Sequence, residues 1–398
     1  MGYLRNIKKQ YWISFFHSLI PAYVIERLFW KQRGMGVQMV IYTEIIYALT
    51  VTVFEIPSGI LADKFGRKRL LSIYNALAAI ELLLILFAHN FWQFAIAIFF
   101  AGIGKAFSSG SENALLYDSL LNEGKQNDFE KLLGRLSAVD FTGSIIAALS
   151  GSVLANFFNY EFNYILSVFS MCIAAVITLS LKEPPMLTKP ENEISSVRQY
   201  TKQSIKVFGL QPLVLMYCLT GAVLGACMIY LDEFWQIILD NIGIPLIFFG
   251  MFSAIGSILR IPGNLFAYKL KEKFKYNHIL TCVIAVSIVG YAAISFTRDA
   301  FCLVPMLLLM LVTGIVDPII SGYLHHNTES HIRATVESFS SLGLRVVSIA
   351  IGLIFGYVSA GYSIFASFLS LSVICFVYLV LFRIKGKKYF HNDKIQSK

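Results

Sequence analysis

Twelve apolar segments follow one another along the chain, and most are long enough to cross a bilayer. Their approximate spans are 10–31, 36–58, 70–88, 91–121, 131–158, 162–181, 209–239, 245–268, 278–296, 300–326, 334–358 and 361–383. A helix needs about 20 apolar residues to cross the hydrocarbon core. Inside lipid the backbone must satisfy its own hydrogen bonds, so only helices and closed barrels can span it. Because the segments lack the alternating pattern of barrel strands, the sequence predicts an all-α membrane protein.

The composition of the 398 residues excludes an ordinary soluble domain. Charged residues make up 14% of the chain, against about 25% in soluble proteins. Although the formal net charge is +9, the basic residues concentrate between the segments. Seven stretches on one side of the predicted membrane hold 26 of the 33 Lys and Arg: 1–9, 64–69, 122–135, 182–206, 269–275, 329–333 and 383–398. Since positive charge stays in the cytoplasm, we predict a multi-pass protein of the cytoplasmic membrane, with both termini cytoplasmic and no nucleic-acid partner.

The longest connection divides the segments six and six. It carries three prolines and several charged residues, as a linker between two bundles would. The sequence therefore predicts a six-helix bundle over 1–181, a cytoplasmic linker over 182–208, and a second six-helix bundle with a basic cytoplasmic tail over 209–398. Part of the linker is expected to lie as a short helix on the membrane surface.

The two halves share an internal repeat. Glu55-Ile-Pro matches Arg260-Ile-Pro at an offset of 205 residues, and Asp140 matches Arg345 at the same offset. One shared offset across two pairs of segments indicates a duplicated bundle. We therefore expect the two bundles to be related by a pseudo-two-fold axis.

A basic hairpin joins the second and third segments. Its residues Gly59, Asp63, Gly66, Arg67 and Lys68 fit the spacing Gly-x-x-x-Asp-x-x-Gly-Arg-Lys/Arg. This pattern resembles the loop signature of the major facilitator superfamily of transporters. The preceding residues 55–57 resemble the bacterial efflux branch that includes macrolide-efflux-like proteins. The resemblance implies that Asp63 ties this hairpin to segment 11 when the carrier faces outward.

Ionisable residues at membrane depth are costly, by about 2.5–3.5 kcal/mol on insertion scales, so they are candidates for function. The resemblance implies that segments 1, 4, 7 and 10 line a central cavity, which favours Lys105, Glu112 and Asp317 for substrate and proton binding. Lys105 and Glu112 are seven residues apart and would share one helix face. Further candidates are Glu26, Glu44, Asp232, Glu233 and His17. Glu81 has no role in this scheme. The alternative is a buried ion network that only fixes helix packing.

Segment 5 keeps part of the superfamily's antiporter signature. Gly134, Gly143 and Gly151 preserve its small-residue spacing, which allows close helix packing, but Ala147-Ala148 replaces its Gly-Pro element. Segment 4 also lacks the arginine of many proton antiporters. Export is therefore supported by the efflux-branch resemblance and opposed by these two departures.

The resemblance implies that segment 2 packs against segment 11 and segment 5 against segment 8. Together with the repeat, this packing predicts two ion pairs between the halves, Asp140 with Arg260 and Glu55 with Arg345. We interpret them as latches that close when the carrier faces outward. The alternative is that each charge is satisfied within its own half. The hairpin residues and these four charges form the predicted gating set.

Three functions remain open at this stage. The first is proton-coupled export of a small organic molecule by alternating access. The second is a proton symporter that imports a polar metabolite, and the third is a receptor or sensor on the same fold. An enzyme is not expected, because the sequence lacks a Ser/His/Asp set, a Walker loop and a metal cluster. The expected partners are the substrate, protons and lipid. We expect a monomer and no cofactor.

The six cysteines are interpreted as reduced residues that pack between helices.

Overall fold

The computed structural model describes residues 4–109, 111–185, 212–327 and 333–390, and this part of the chain contains helices and no strand. The helices are α1 Leu4–Ser18, α2 Glu26–Gln32, α3 Val37–Phe65, α4 Arg67–Phe87, α5 Phe91–Ser108, α6 Ser111–Leu121, α7 Phe129–Phe157, α8 Tyr160–Leu179, α9 Pro212–Asn241, α10 Phe249–Lys273, α11 Tyr276–Phe296, α12 Leu303–Asn327, α13 Arg333–Gly361 and α14 Ile364–Phe390. Among the described residues, eleven helical stretches are long and apolar enough to cross a membrane. The predicted all-α membrane fold is confirmed.

Contacts divide the chain into two compact units. The first comprises Met1–Pro190 and Ile244–Ala254, and the second comprises Glu191–Gly243 and Ile255–Lys398. Most of the predicted linker lies outside the described residues, so its boundaries and its surface helix stay predictions. Corresponding helices pack in the same pairs within each unit: α1–α7 and α9–α13, α4–α8 and α11–α14, α4–α5 and α11–α12.

The first predicted segment is not one helix. Instead of continuing over 10–31, α1 ends at Ser18, a 3₁₀ turn covers Pro21–Val24, and α2 begins at Glu26. Proline lacks an N–H and its ring clashes with the preceding turn of a helix. It also disfavours the helical region for the residue before it, and Ile20 has φ −117° and ψ 87°. The apolar segment predicted over 10–31 gives no sign of this break, because hydropathy does not register the proline.

Side chains of α8 satisfy the backbone groups that this break releases. Ser170 donates to the Phe16 carbonyl at 2.7 Å, Ser167 accepts from the Ala22 N–H at 3.0 Å, and Asn163 donates to the Pro21 carbonyl at 3.2 Å. A broken helix is tolerated at membrane depth where neighbouring helices re-satisfy the freed groups. Hydrogen bonds from α8 therefore stabilise the break between α1 and α2.

The fourth predicted segment, 91–121, corresponds to one apolar span, Phe91–Leu121, which comprises α5 and α6. Ser109 continues the helical geometry of α5 with φ −55° and ψ −41°, and its N–H donates to the Lys105 carbonyl at 3.1 Å. The Ser108 hydroxyl donates to the same carbonyl at 3.0 Å. Gly110, between Ser109 and the start of α6, lies outside the described residues.

Two glycines of α7 allow the broken first segment to approach closely. A Cβ on Gly143 would lie 2.9 Å from the Phe15 carbonyl oxygen, and one on Gly151 would lie 2.8 Å from a methyl carbon of Val24. By contrast, a Cβ on Gly134 would meet nothing within 4 Å. Small residues are needed at the first two positions because backbone and branched side chains face them.

We expect Gly151→Ala to destabilise the first unit by about 1–3 kcal/mol, because overpacking displaces neighbouring atoms. The same change at Gly134 on the same helix is the control, and it should be neutral or stabilising, since alanine is a better helix former by about 1 kcal/mol. Fluorescence-detected thermal unfolding in detergent measures both. Equal stability of the two variants would contradict the prediction and would show that the turn around Pro21 can shift to accommodate the added methyl group.

Candidate functional site

A cavity of about 200 Å³ lies inside the first unit, among the helices that carry most of its intramembrane charges. Its polar lining side chains come from six helices: Gln10, Ser14, His17 and Ser18 from α1, Tyr74 and Asn75 from α4, Lys105 from α5, Glu112 from α6, Asp140 from α7, and Thr178 from α8. The cavity therefore brings together three predicted coupling residues, Lys105, Glu112 and His17, with the predicted gating residue Asp140.

Lys105 lies on α5 and Glu112 on α6, on either side of Gly110, which is outside the described residues, so their shared helix face stays a prediction. Both side chains line the same cavity, and both are exposed. Gln10 and Asn75 also line this cavity, and both are buried. The lining therefore combines two exposed, charged side chains with two buried, uncharged amides, and we call the parts of the cavity next to them the accessible end and the closed end.

Asp140 is held by hydroxyl groups within the first unit. Ser14 and Ser18 both donate to its Oδ1, the second at 2.9 Å. Next to them, the rings of His17 and Tyr74 lie with centroids 5.1 Å apart, and the Tyr74 hydroxyl hydrogen-bonds His17 Nε2. In the described part of the chain, hydroxyl groups rather than a cation therefore stabilise Asp140, and Tyr74 positions the His17 ring.

Another group of charges surrounds Arg27, which is 4% exposed. Its guanidinium donates to Glu44 at 3.0 Å, lies 3.6 Å from Glu26, and sits 4.5 Å from the centre of the Trp30 ring. Glu81 lies within electrostatic range of the same three charged residues. The structure thus places Glu26 and Glu44 around one arginine and gives Glu81, for which the sequence suggested no role, a charged environment.

The second unit contains its own ion pair. Arg260 of α10 pairs with Asp232 of α9, and each side chain is 38% exposed. Asp317 of α12 is exposed and lies within electrostatic range of Arg260. Glu233 follows Asp232 on the adjacent face of α9. These contacts provide Arg260 with a partner in its own half.

The two predicted latches stay predictions. Asp140 and Arg260 each have partners within their own units, as described above. Glu55 is exposed at the middle of α3, and Arg345 is half-buried on α13.

The signature hairpin is held by Glu183, a residue that follows α8. Gly66 has φ 93°, a region that favours glycine. The Glu183 carboxylate accepts from the N–H groups of Arg67 and Lys68, both at 2.8 Å. A Cβ on Gly66 would lie 2.9 Å from that carboxylate. Glycine is thus required here by conformation and by space, because an anion occupies the N-terminus of α4.

Other members of the hairpin have different surroundings. The Arg67 guanidinium pairs with Asp118 of α6, and both side chains are mostly buried. A Cβ on Gly59 would meet nothing within 4 Å, so close packing does not explain that glycine. The side chain of Asp63 lies outside the described residues, and its role as a switch stays a prediction.

Sequence reasoning missed four residues of these sites. Glu183 falls within the predicted linker, and Asp118 is not among the predicted site residues. Gln10 and Asn75 were not singled out. A usable signal existed for Glu183, since an acidic residue directly after an apolar segment can cap a neighbouring basic helix start. Gln10 carries no local signal, because one polar residue at a segment end is common.

We expect Glu183→Ala to loosen the start of α4 by about 0.5–2 kcal/mol, the usual loss when a helix-capping side chain is removed. Hydrogen–deuterium exchange of the peptide that contains Arg67 should become faster. Lys182→Ala is the control, since Lys182 binds Asn6 through its backbone N–H and carbonyl. Unchanged exchange in Glu183→Ala would contradict the capping role.

The sequence of this chain is similar to those of known membrane transporters. The sequence profile of the Major Facilitator Superfamily matches residues 11–352. The multidrug resistance protein MdtG of Escherichia fergusonii is 23% identical over 340 residues, which cover 83% of this chain and 80% of that protein. The tetracycline resistance protein, class H, of Pasteurella multocida is 21% identical over 328 residues, which cover 78% of each.

Solved structures share the fold. The crystal structure of the nucleoside transporter NupG superposes with a TM-score of 0.76 at 16% identity, covering 96% of this chain and 99% of that one. The profile match covers most of the chain and includes the signature hairpin. The helices of the two units also pack in corresponding pairs. The chain therefore belongs to the major facilitator superfamily, a family of membrane transporters and not of enzymes.

Proposed function

We propose that the chain exports a small organic molecule across the cytoplasmic membrane by alternating access, in exchange for protons. The observation that carries this proposal is the convergence of Lys105, Glu112 and Asp140 on one cavity within a membrane-embedded bundle. Ionisable groups at membrane depth mark ion pathways and proton relays. The same proposal includes cytoplasmic termini and a monomer.

The surroundings of the two carboxylates suggest different roles. Asp140 is fixed by Ser14 and Ser18, whereas Glu112 lies at the accessible end and within electrostatic range of Lys105 and Asp140. If both carboxylates were ionised beside one lysine, the three groups would carry a net charge of −1. One bound proton neutralises that charge, and a cationic substrate could do the same. Glu112 is therefore the better candidate to bind and release a proton.

Export rather than import is favoured by the names of the sequence relatives, which include multidrug and tetracycline resistance proteins. Transport in everted membrane vesicles tests the direction. With an acidic lumen, we expect tetracycline or ethidium to accumulate and a protonophore to release it. Substrate movement down the proton gradient, in the same direction as the protons, would instead support the symporter. Absence of transport across a wide panel of compounds would count against the proposal.

A further inference from the structure

The closed end of the cavity contains two buried amide side chains with unused hydrogen-bonding groups. Gln10 is 6% exposed, and neither its Nε2 nor its Oε1 has a partner in the described part of the chain. Asn75 is 2% exposed, and its Oδ1 likewise lacks a partner there. A buried polar group left without a partner destabilises the folded state. Three such atoms belong to side chains that line one cavity, and they call for a binding partner.

The orientation of Asn75 is fixed by its neighbours. Its Nδ2 donates to the Leu71 carbonyl and to the Thr178 hydroxyl, both at 3.0 Å. A carbonyl oxygen only accepts, so the amide cannot be flipped without loss. Asn75 therefore presents an oxygen, while Gln10 presents one oxygen and two N–H donors. Exchange of the Gln10 oxygen and nitrogen leaves this set unchanged.

Size limits what the closed end can hold. The apolar side chains that line the cavity are Ile13, Leu71 and Leu181. The whole cavity measures about 200 Å³, whereas pockets that enclose drug-sized ligands usually measure about 300–1,000 Å³. The closed end can therefore take one small group of a larger molecule, with the remainder toward Lys105 and Glu112.

We infer that this closed end is a specificity pocket for an uncharged, amide-like group of the transported molecule. Such a group donates to the oxygens of Gln10 and Asn75 and accepts from the Gln10 N–H groups, which satisfies all three atoms. The inference rests on the proposed function, because it names the substrate class that the same cavity takes. The competing occupant is buried water, which also binds in polar cavities.

Two small probes separate these occupants. Benzamide and acetophenone share a phenyl ring and a carbonyl, but a methyl group replaces the NH₂ donors in acetophenone. We expect the purified full-length protein to bind benzamide about tenfold more tightly by ligand-observed NMR, the effect of roughly 1.4 kcal/mol of donor contacts. Gln10→Met should remove this preference, since methionine keeps the length of the side chain and loses the amide.

The controls make each outcome decisive. Gln236→Met makes the same change at a glutamine of α9 that is 3% exposed and should leave the preference intact. Asn75→Leu gives a second test if Gln10→Met does not fold. Equal binding of the two probes, no binding of benzamide, or a preference that survives both variants would show that the pocket holds water only. A preference without transport in vesicles would count against the proposed function and leave the pocket standing.

Discussion

Glu112→Gln is expected to abolish transport that is driven by a proton gradient and to leave downhill exchange of substrate intact. Glutamine keeps the shape and hydrogen-bonding groups of the side chain but cannot release a proton. A coupling carboxylate must exchange its proton in each cycle, whereas exchange of substrate for substrate requires only that the carrier change conformation. The two activities should therefore separate in this variant.

Vesicle uptake with an imposed gradient and counterflow without one measure the two activities. Glu130→Gln is the matched control, because Glu130 is exposed at the start of α7 and is not among the residues that line the cavity. Asp317→Asn makes the corresponding test in the second unit, where Asp317 is exposed and near Arg260. The assignment fails if Glu112→Gln and Asp317→Asn both retain full gradient-driven transport.

Hydropathy predicted most helices closely. The predicted segment 70–88 corresponds to α4 Arg67–Phe87, and 278–296 corresponds to α11 Tyr276–Phe296. The exception is the segment 10–31, which is interrupted around Pro21. A window average of apolar character is insensitive to one proline, although proline alters the local backbone geometry.

The candidate site was only partly predictable, for a different reason. Intramembrane charge alone selects Lys105 and Glu112, because desolvation makes such residues rare without a role. It does not select Glu183, which accepts from the Arg67 N–H 116 positions away, or Gln10, which lines a cavity formed by six helices. Nor does it choose partners: the repeat suggested Asp140 for Arg260, and the structure pairs Arg260 with Asp232.

The largest effect on transport that we expect in the second unit follows from the ion pair between Arg260 and Asp232. Arg260→Ala should reduce transport strongly, because it leaves the Asp232 carboxylate without its cation at membrane depth. A lone charge there costs about 2.5–3.5 kcal/mol on insertion scales. The cost at this site should be lower, since both side chains are 38% exposed and partly screened by solvent. We expect transport to fall about tenfold, which corresponds to 1.4 kcal/mol.

The second substitution that restores transport identifies the partner of Arg260. Removal of both members of an ion pair is less harmful than removal of one, because no uncompensated charge remains. We therefore expect Asp232→Asn to rescue Arg260→Ala in part. The latch hypothesis instead predicts rescue by Asp140→Ala, and for the repeat-related pair it predicts rescue of Arg345→Ala by Glu55→Gln.

Transport and thermal stability measured together distinguish these cases. An ion pair confined to the second unit should restore both quantities in Arg260→Ala with Asp232→Asn. A latch between the halves acts in one state of the cycle, so its double mutants should restore transport more than stability. If no second substitution helps, then Arg260 acts on the substrate or on Asp317 rather than through either ion pair, and the charge arrangement that the repeat suggested has no part in gating.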